Sequence, residues 1–481
     1  MNPRRAKIIC TIGPSSNSYK KIEALIAAGM DVARLNFSHG SHVSHAEAIR
    51  LIRKASIKMK KPVAILQDLQ GPKIRVKTFI NGRINLKNRG KFILTTRDII
   101  GSDSIVSVTH TNLHKDVLPG DTILLNDGLI SLKVVRIDRR DVHCRVIFGG
   151  ELSDHKGMNL PGTILTVEAL THKDRDDLAF GIKNGVDYIA LSFVQKPGDI
   201  KKLKNLISKH GAETPVIAKI EKPQAVESLE AITDLADGIM VARGDLGVEV
   251  NVEEVPPIQK KIIALCNQKG IPVITATQML ESMIQFPRPT RAEASDVANA
   301  VMDGSDAVML SGETANGRFP VEAVRTMDHI VTLIENKMHL SNGSRRRRVD
   351  QVYPTELAIG HSACDAAECI RAAAIVCLTQ SGTTAQMIAR FRPSIPIIGV
   401  TPRNETLNRM ALLWGIHGLI VKEFDYNFEQ AIKDMKVLLL KEKLIKYGDR
   451  IVTTAGLPLF EHRNTNMLRI DEIKKHDIDK K

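Results

Sequence analysis

The feature that most limits how this chain can fold is a set of apolar, strand-like segments that alternate with helical segments. Three lie early in the chain, and five more follow after a long interruption. Their positions are 7–12, 32–37, 63–68 and then stretches that begin at Tyr188, Val216, Gly238, Pro272 and Ala307. Alternation of this kind predicts a parallel sheet, and eight such strands are the number that closes a (β/α)8 TIM barrel. The predicted fold class is therefore α/β.

The interruption has a pattern of its own. Between residues 72 and 170 the segments are short, alternating and rich in turns, as in KFILTT and HCRVIF. They predict a small β-barrel domain inserted into the larger barrel. Beyond residue 340, helices alternate with strands such as AIVCLT and RIVTTA, which predicts a doubly wound α/β domain. The expected division is a barrel at 1–71 and 171–340, an inserted β-domain at 72–170 and a C-terminal domain at 341–481.

Polar side chains recur where the barrel strands end. Lys219 and Glu221 close one strand, and Arg243 and Asp245 follow the next. Salt bridges at strand ends would account for either pair alone. The other strand ends carry the same kind of residue: Arg34, Asn36, Ser38, His39, Asp68, Lys196, Thr277, Ser311 and Glu313. Because barrel active sites lie at the carboxyl ends of the strands, one shared site is the better interpretation, and its carboxylates suit a divalent metal.

Composition narrows the possible partners. The chain has 68 Lys and Arg against 54 Asp and Glu, a net charge of +14 that attracts anions. Aromatic residues are only 4%, which argues against stacking on nucleic acid bases. We interpret the run Arg345 to Arg348 as a solvated linker. The cysteines form no CxxC pair, and the chain shows neither a signal peptide nor an apolar stretch of membrane-spanning length, so a cytoplasmic protein without a membrane partner is expected.

A second polar cluster lies in the C-terminal domain, between its first predicted strand and the helix that follows. The cluster TQSGTT runs from Thr379 to Thr384. Hydroxyl groups and a glycine at a helix start can present hydrogen-bond donors and the positive end of the helix dipole to a phosphate. Ordinary N-capping by Ser381 or Thr383 is the alternative, and the sequence leaves both open.

Six strings together resemble the pyruvate kinase family, in the same order and along nearly the whole chain. They are VARLNFSHG, DLQGPKIR, VIAKIE, VARGDLGVE, TATQMLESM and RPTRAEASDVANAVMDGSDAVMLSGETA. The resemblance implies transfer of the phosphoryl group of phosphoenolpyruvate to ADP, which gives ATP and pyruvate in the last step of glycolysis. It also implies Mg²⁺ or Mn²⁺ as cofactor, a mobile lid, a regulatory C-terminal domain and a homotetramer.

The resemblance also implies roles for individual residues. Lys219 matches the lysine that stabilises the phosphoryl group in flight, and Glu221 and Asp245 match the Mg²⁺ ligands. Arg34 matches the residue that grips the substrate phosphoryl group. Further substrate contacts match the backbone at Gly244 and Asp245 and the side chain of Thr277, which helps to protonate the enolate, with Ser311 as an outer relay. The matching ADP contacts are Asn36, Phe37, Ser38, His39, Arg75, Lys196 and Asp127.

One motif departs from the commonest family pattern. Many members have a glutamate where DLQGPK places Lys73, and that glutamate accompanies a requirement for K⁺. The family K⁺ position matches Asn36, Ser38, Asp68 and Leu69. A lysine resembles the K⁺-independent branch, because its ammonium can supply the charge that the ion otherwise brings. A plain surface lysine at the lid hinge is the alternative.

The C-terminal cluster matches the loop at which the family binds a sugar phosphate, which places an effector at Thr379, Ser381, Gly382, Thr383 and Thr384. Members that bind fructose 1,6-bisphosphate add a loop rich in Trp and Gly near the C-terminus. The stretch after Gly456 has neither residue. We therefore expect AMP or a sugar monophosphate as the activator.

Two other functions are weighed against this one. A metal-dependent aldolase on a TIM barrel, which would handle pyruvate enolate, also needs Glu221, Asp245 and an arginine. It leaves Lys219, the lid and the nucleotide residues without a task. An RNA-binding function would use the net positive charge, but no recognisable nucleic-acid module accompanies it.

Overall fold

The structure is a computed structural model that describes residues 4–163, 168–341, 353–425, 427–459 and 464–475. Its first elements are three strands and two helices: β1 (Lys7–Thr11), α1 (Tyr19–Ala28), β2 (Val32–Asn36), α2 (His42–Met59) and β3 (Ala64–Asp68). Ser18 and Ser41 cap the two helices through their hydroxyl groups. Every residue of β1 and β3 is buried, as expected of parallel strands that helices cover.

The lid follows β3. Its elements are β4 (Arg83–Leu86), β5 (Lys91–Thr95), β6 (Ile105–Ser107), α3 (Leu113–Asp116), β7 (Thr122–Leu125), β8 (Ile130–Asp138), β9 (Asp141–Phe148), β10 (Gly150–Ser153) and β11 (Met158–Asn159). The strands enclose a separate apolar core that includes Phe92 and Leu132. Among the described residues they form a six-stranded and a two-stranded sheet, so the domain is β as predicted but is not one closed barrel.

The chain then returns to the barrel. Its strands are β12 (Tyr188–Leu191), β13 (Val216–Ile220), β14 (Gly238–Ala242), β15 (Val273–Ala276) and β16 (Ala307–Leu310). Its helices are α4 (His172–Lys183), α5 (Pro197–Lys209), α6 (Pro223–Glu227), α7 (Leu229–Leu235), α8 (Arg243–Glu249), α9 (Val255–Lys269), α10 (Arg291–Asp303), α11 (Gly312–Ala315) and α12 (Pro320–Ser341). Short 3₁₀ turns lie at Val252–Glu254 and Glu281–Ile284.

The eight barrel strands close into a ring. Their order is β1-β16-β15-β14-β13-β12-β3-β2, and all neighbours are parallel. The lid leaves between β3 and β12, so the prediction of a TIM barrel interrupted after its third strand is confirmed. At the lid connection, the Gly71 N–H donates to Asp174 Oδ1 at 3.0 Å, which ties the outgoing chain to the first turn of α4.

The C-terminal domain is a five-stranded sheet between helices. Its elements are α13 (Thr355–Cys369), β17 (Ala374–Leu378), α14 (Thr383–Arg390), β18 (Ile397–Thr401), α15 (Asn404–Met410), β19 (Ile416–Ile420), α16 (Phe428–Lys441), β20 (Arg450–Ala455) and β21 (Met467–Glu472). The order is β19-β18-β17-β20-β21, and only β21 is antiparallel to its neighbour. Successive residues of β17 point to opposite faces of the sheet: Ile375 lies in the core on one face and Val376 in the core on the other. This arrangement confirms the doubly wound prediction.

Three further sequence features are the arginine run, the question of a membrane-crossing helix and the cysteines. The run Arg345 to Arg348 lies outside the described residues. Within the described ranges, no helix has both the length and the apolar character that crossing a membrane requires. The six cysteines are free thiols, and all except Cys369 are buried.

Asp31 joins three strand entries at the end of the barrel opposite the strand carboxyl ends. Its carboxylate accepts from the Ile8 N–H at 2.9 Å and pairs with Arg4 at 2.8 Å and Lys61 at 3.4 Å. Burial opposes ionisation of Asp31, but Arg4, Lys61 and Lys7 hold its pKa well below the usual range. The buried carboxylate therefore stabilises the closed ring as long as it stays ionised.

We expect Asp31→Ala to lower the free energy of unfolding by about 3–5 kcal/mol, because it leaves buried cations without their partner. The measurement is the midpoint of thermal unfolding followed by circular dichroism at pH 7. Glu47→Ala removes the exposed partner of Arg50 and serves as control, with no shift of the midpoint expected.

The same pair of proteins tests the pKa. A depressed native pKa means that Asp31 contributes stability above the ordinary Asp pKa of about 3.9 and loses it as the pH falls toward the native pKa. The midpoint difference between Asp31→Ala and the parent should therefore shrink below about pH 4. A difference that is the same at pH 7 and pH 3 would contradict this assignment.

Candidate active site

Lys219 occupies the centre of the barrel mouth. It lies in β13, and its ammonium is 2.9 Å from Glu221 Oε1 and 3.2 Å from Asp68 Oδ1, and it donates to Ser192 Oγ at 2.8 Å. Burial lowers the pKa of Lys219, but Asp68 and Glu221 outweigh it, and the net direction is upward. The side chain is therefore a buried cation at neutral pH, held at a fixed position by groups from three strands.

The two carboxylates beside Lys219 have different environments. Burial opposes ionisation of Asp68, but Lys219 and Arg34 lower its pKa. Burial and the nearby charge of Asp245 raise the pKa of Glu221, although Lys219 acts in the opposite direction. Glu221 Oε2 accepts from the Phe193 N–H at 2.8 Å, and the buried Oε1 lies 2.9 Å from the Lys219 ammonium. Because a carboxylate oxygen has two lone pairs, Oε1 can bind a further cation beside Lys219.

Arg34 points its guanidinium into the same mouth. It lies in β2, and its Nε donates to Asp68 Oδ2 at 2.7 Å while Nη1 donates to Thr11 Oγ1 at 3.0 Å. Its side chain is only 11% exposed. Arg34 and Lys219 therefore hold opposite oxygens of one buried carboxylate, and two cations face one small volume where an anion could bind.

Thr277 has a strained backbone next to the turn at Gly244. Its φ is 69°, and Gln278 follows with a φ of 54°. A left-handed conformation is an outlier for a β-branched residue and costs about 1–3 kcal/mol. The Gly244 N–H donates to Thr277 Oγ1 at 2.8 Å, and Oγ1 donates to the Ala276 carbonyl at 2.6 Å. Strain of this kind persists only where several contacts enforce it, and it is concentrated at functional sites.

Ser311 lies just beyond β16. Its N–H donates to Glu313 Oε2 at 2.7 Å, and its hydroxyl is buried with no hydrogen-bond partner among the described residues. Glu313 also accepts from the Leu280 N–H at 3.0 Å, so it ties the loop after β15 to the loop after β16. The unpartnered hydroxyl of Ser311 is free to bind a water molecule or another polar group.

The lid faces the barrel mouth at Asp245. Lys73 Nζ lies 3.9 Å from Asp245 Oδ1. The side chains of Lys73 and Asp127 both approach Gly157, where a Cβ atom would lie 4.0 Å from Lys73 Nζ and 3.8 Å from Asp127 Oδ1. A cleft of about 890 Å³ separates lid from barrel and is lined by Asp127 and Asp245, among others. Asp127 is thus placed on the side where a second substrate could enter, and the ion pair of Lys73 is with Asp245.

The remaining predicted nucleotide and K⁺ residues lie around the ends of β2, β3 and β12. Asn36 Oδ1 accepts from the Ser38 N–H at 3.1 Å, and the His39 carbonyl accepts from the ring of His45. Phe37 is buried and stacks on His45 with ring centroids 4.1 Å apart. The Phe37 side chain therefore belongs to the core, and the backbone is what this residue presents to the loop.

The other predicted contacts are more dispersed. Leu69 is buried, and its carbonyl accepts from Ser192 Oγ at 2.7 Å. Lys196 is the N-cap residue of α5. Arg75 lies in the lid, where its guanidinium donates to the His155 carbonyl at 3.0 Å. A common nucleotide site would need these groups to meet across the cleft.

Several site residues are not among the sequence predictions. Ser192 follows β12 and links Lys219 to the Leu69 carbonyl, and its position one residue beyond a strand was the available signal. Lys222 and Glu249 form a buried ion pair at 2.5 Å, and Glu249 also accepts from Asn159 of the lid at 2.8 Å. No local pattern marks such partners, because they come from separate elements.

The C-terminal cluster lies on a cavity of about 540 Å³. Gly382 is the N-cap of α14 with a φ of 91°, and Ser381 Oγ accepts from the Thr383 N–H in the first turn at 3.4 Å. Ser381 Oγ and Thr383 Oγ1 are 2.7 Å apart and exposed, whereas Thr384 Oγ1 bonds to Thr465 Oγ1 at 2.8 Å in a buried position. Lys269 and Arg390 also line the cavity, which gives it two cations. The cations suit an anion and the contact from Ser381 Oγ to the Thr383 N–H suits capping, so the structure has features of both alternatives.

Comparison with known proteins gives the family. The model of the pyruvate kinase barrel domain matches residues 3–324, and the model of the pyruvate kinase alpha/beta domain matches residues 357–471. Pyruvate kinase 2 of Synechocystis sp. is 47% identical over 479 residues, which cover 98% of this chain and 80% of the relative. The pyruvate kinase of Clostridium acetobutylicum is 41% identical, with 98% of this chain and 100% of the relative covered.

A solved structure agrees with these relatives. The crystal structure of a pyruvate kinase from Cryptosporidium parvum superposes with a TM-score of 0.90 at 37% identity, and the match covers 98% of this chain and 96% of that one. Barrel, lid and C-terminal domain are thus all included in the similarity. This chain belongs to the pyruvate kinase family, whose members are phosphotransferases.

Proposed function

We propose that the barrel mouth transfers the phosphoryl group of phosphoenolpyruvate to ADP, with Lys219 at the point of transfer. The observation that carries this proposal is the buried Lys219 ammonium, held within 3.2 Å of both Asp68 and Glu221. Phosphoryl transfer depends mainly on positioning and on neutralising charge, and this site offers fixed cations in a buried setting.

Mg²⁺, or Mn²⁺ in its place, fits the carboxylates of Glu221 and Asp245. Mg²⁺ in phosphoryl-transfer sites is typically held by one or two carboxylates, with substrate oxygens and water as further ligands. Glu221 Oε1 is buried beside the Lys219 ammonium at 2.9 Å, and its second lone pair is available to a divalent ion. A bound divalent ion would neutralise negative charge on the phosphoryl group and on the enolate oxygen.

The chain's own groups then have distinct tasks. Arg34 binds the phosphoryl group of the substrate while its Nε keeps Asp68 in place. Lys219 stabilises the negative charge on the phosphoryl group as the bond to the enolate oxygen breaks. The backbone at Gly244 and Asp245, in the first turn of α8, receives the substrate carboxylate, and the Gly244 N–H shares this task with its hydrogen bond to Thr277 Oγ1.

Protonation of the enolate falls to Thr277 with help from Ser311. A threonine hydroxyl is too weak an acid to deliver a proton alone, so it must pass on a proton from water or from another hydroxyl. Thr277 Oγ1 is fixed by two hydrogen bonds, and Ser311 Oγ is buried without a partner in the described chain. The two residues are therefore suited to hold an ordered water at the carbon that accepts the proton.

ADP enters between lid and barrel. Its phosphates meet Asn36, Ser38, His39 and Lys196 on the barrel side, with the Phe37 backbone between them. Arg75 and Asp127 approach from the lid. Lys196 supplies a cation at the start of α5, where the helix dipole also favours phosphate. A homotetrameric assembly and a cytoplasmic location remain predictions from the family resemblance and the sequence.

The first test is Lys219→Met in an assay that couples pyruvate formation to lactate dehydrogenase, with phosphoenolpyruvate and ADP as substrates. We expect kcat to fall about 10²- to 10³-fold, because the variant loses a preorganised charge at the transferring group. Lys204→Met is the matched control, since Lys204 forms an exposed ion pair with Asp237, and it should leave kcat unchanged.

The same assay separates the alternatives. A parent protein that forms no ATP from phosphoenolpyruvate and ADP, but releases pyruvate from an aldol substrate, would support the aldolase. The relatives and the superposed structure do not favour that alternative.

K⁺ independence is the proposed consequence of Lys73. Its ammonium lies beside Asp245, one of the proposed metal ligands, and so adds a fixed positive charge to the substrate site. The family K⁺ position at Asn36, Ser38, Asp68 and Leu69 then needs no ion. The Arg34 and Lys219 partners already compensate the charge of Asp68 at that position.

We expect the parent enzyme to have the same kcat, within about twofold, in K⁺ and in tetramethylammonium. Lys73→Glu should become K⁺-dependent, with kcat at least about tenfold higher in K⁺, because it replaces a fixed cation with a carboxylate. Lys77→Glu is the control, since Lys77 pairs with Asp98 on the lid surface. A parent enzyme whose kcat rises strongly with K⁺ would contradict the proposal.

The C-terminal cavity is proposed to bind a phosphorylated activator at Thr379, Ser381, Gly382, Thr383 and Thr384. Its support is the exposed pair of Ser381 and Thr383 at the start of α14, with Lys269 and Arg390 nearby. Gln386 of α14 donates to the Gly270 carbonyl at 3.0 Å, which connects the helix to the barrel. A ligand at this helix can therefore influence the catalytic domain.

We expect AMP or a sugar monophosphate to lower the half-saturating concentration of phosphoenolpyruvate about fivefold or more, a typical allosteric coupling. Fructose 1,6-bisphosphate should have a weaker effect. Ser381→Ala should abolish the shift, whereas Ser394→Ala, a serine outside the cavity that bonds to Glu368, should not. If no phosphorylated metabolite shifts the phosphoenolpyruvate saturation curve, the cluster only caps the start of α14 and the proposal is wrong.

A further inference from the structure

Arg243 is a buried arginine at the active site that the roles above leave unused. It is the first residue of α8, directly before Gly244 and Asp245. Its side chain is only 10% exposed, and its guanidinium meets groups from two other elements. Nη1 pairs with Asp296 Oδ1 of α10 at 2.7 Å, and Nη2 donates to the Thr277 carbonyl at 2.7 Å.

Two consecutive residues thus hold the same threonine. Arg243 binds the Thr277 carbonyl through its side chain, and Gly244 binds the Thr277 hydroxyl through its N–H at 2.8 Å. The carbonyl belongs to the peptide group between Thr277 and Gln278, both of which have positive φ. Fixing that peptide group restrains the ψ of Thr277 and the φ of Gln278, which are the angles that would change if the strained loop relaxed.

We propose that Arg243 is a positioning residue for the proton-transfer step, acting through Thr277. By holding the Thr277 carbonyl it keeps the threonine in its left-handed conformation, with Oγ1 toward Gly244 and the substrate carboxylate site. This inference rests on the proposed role of Thr277. Arg243 also lines the cleft between lid and barrel, but its guanidinium is engaged by Asp296 and the Thr277 carbonyl, and we assign it no contact with substrate or metal.

The residue type agrees with the task. The planar guanidinium presents separate N–H groups, so one can hold Asp296 while another holds the carbonyl. The Asp296 carboxylate, on α10, orients the Arg243 guanidinium. Met279 Sδ lies 2.9 Å from Nη2 of the same guanidinium. A lysine has a single nitrogen at its end and can meet both acceptors only with poorer geometry.

The test compares four variants of the full-length enzyme. They are Arg243→Gln, Arg243→Lys, Asp296→Asn and Thr277→Ala, with the Arg243→Gln, Thr277→Ala double variant. Two activities are measured: kcat with phosphoenolpyruvate and ADP, and the exchange of pyruvate methyl protons for deuterium in D₂O with Mg²⁺, followed by NMR. The exchange reports the proton-transfer step separately from phosphoryl transfer.

We expect Arg243→Gln to lower kcat and the exchange rate about tenfold or more, with the KM for ADP unchanged, because Thr277 can relax. Arg243→Lys should recover part of the loss. Asp296→Asn keeps the acceptor oxygen and should stay within about threefold of the parent. In the Thr277→Ala background, Arg243→Gln should cost less than about threefold more, since the hydroxyl that Arg243 positions is already gone even though the carbonyl that it binds remains.

The outcomes separate this inference from the proposed role of Thr277. If Thr277→Ala keeps the parental exchange rate, the role of Thr277 fails. If Thr277→Ala loses exchange but Arg243→Gln does not, the positioning role fails and that of Thr277 stands. Fully multiplicative losses in the double variant, or an Asp296→Asn loss equal to that of Arg243→Gln, would make Arg243 a structural bridge between helices and overturn the proposal.

Discussion

The buried ammonium of Lys219 is the interaction on which the site depends. A lone charge at this depth would be strongly unfavourable, and Asp68 and Glu221 compensate it. Asp68 in turn binds Arg34, so the ends of β2, β3 and β13 are linked through one set of charges. Because each member is held by the next, the site exists before substrate arrives, which is what electrostatic catalysis of phosphoryl transfer requires.

A second part of the mouth is held by backbone strain. Thr277 and Gln278 keep positive φ values against their preference, and Arg243, Gly244 and the Ala276 carbonyl supply the contacts that enforce them. Charge therefore organises the part of the mouth around Lys219, where we propose phosphoryl transfer, and strain organises the part around Thr277, where we propose protonation of the enolate. The two meet at the start of α8, where Gly244 and Asp245 lie between them.

Helix α9 relates this mouth to the C-terminal domain. Its first turn, with Val255 and Gln259, lines the cleft between lid and barrel, and its last residue, Lys269, lines the cavity of the C-terminal domain. The lid is joined to the same region through Asn159 and Glu249. Because one helix borders both cavities, a ligand that shifts the helix at one cavity would also alter the lining of the other.

The sequence by itself determined the eight-strand barrel, the insertion after the third strand and the location of Lys219, Glu221 and Asp245 at strand ends. These features are local, since strand periodicity and the position of a polar residue after an apolar run can be read along the chain. Tertiary structure decided which groups meet. Ser192 beside Lys219, Lys73 beside Asp245 and Arg243 on Thr277 depend on which strands are neighbours and on how side chains orient, and no spacing in the chain encodes that.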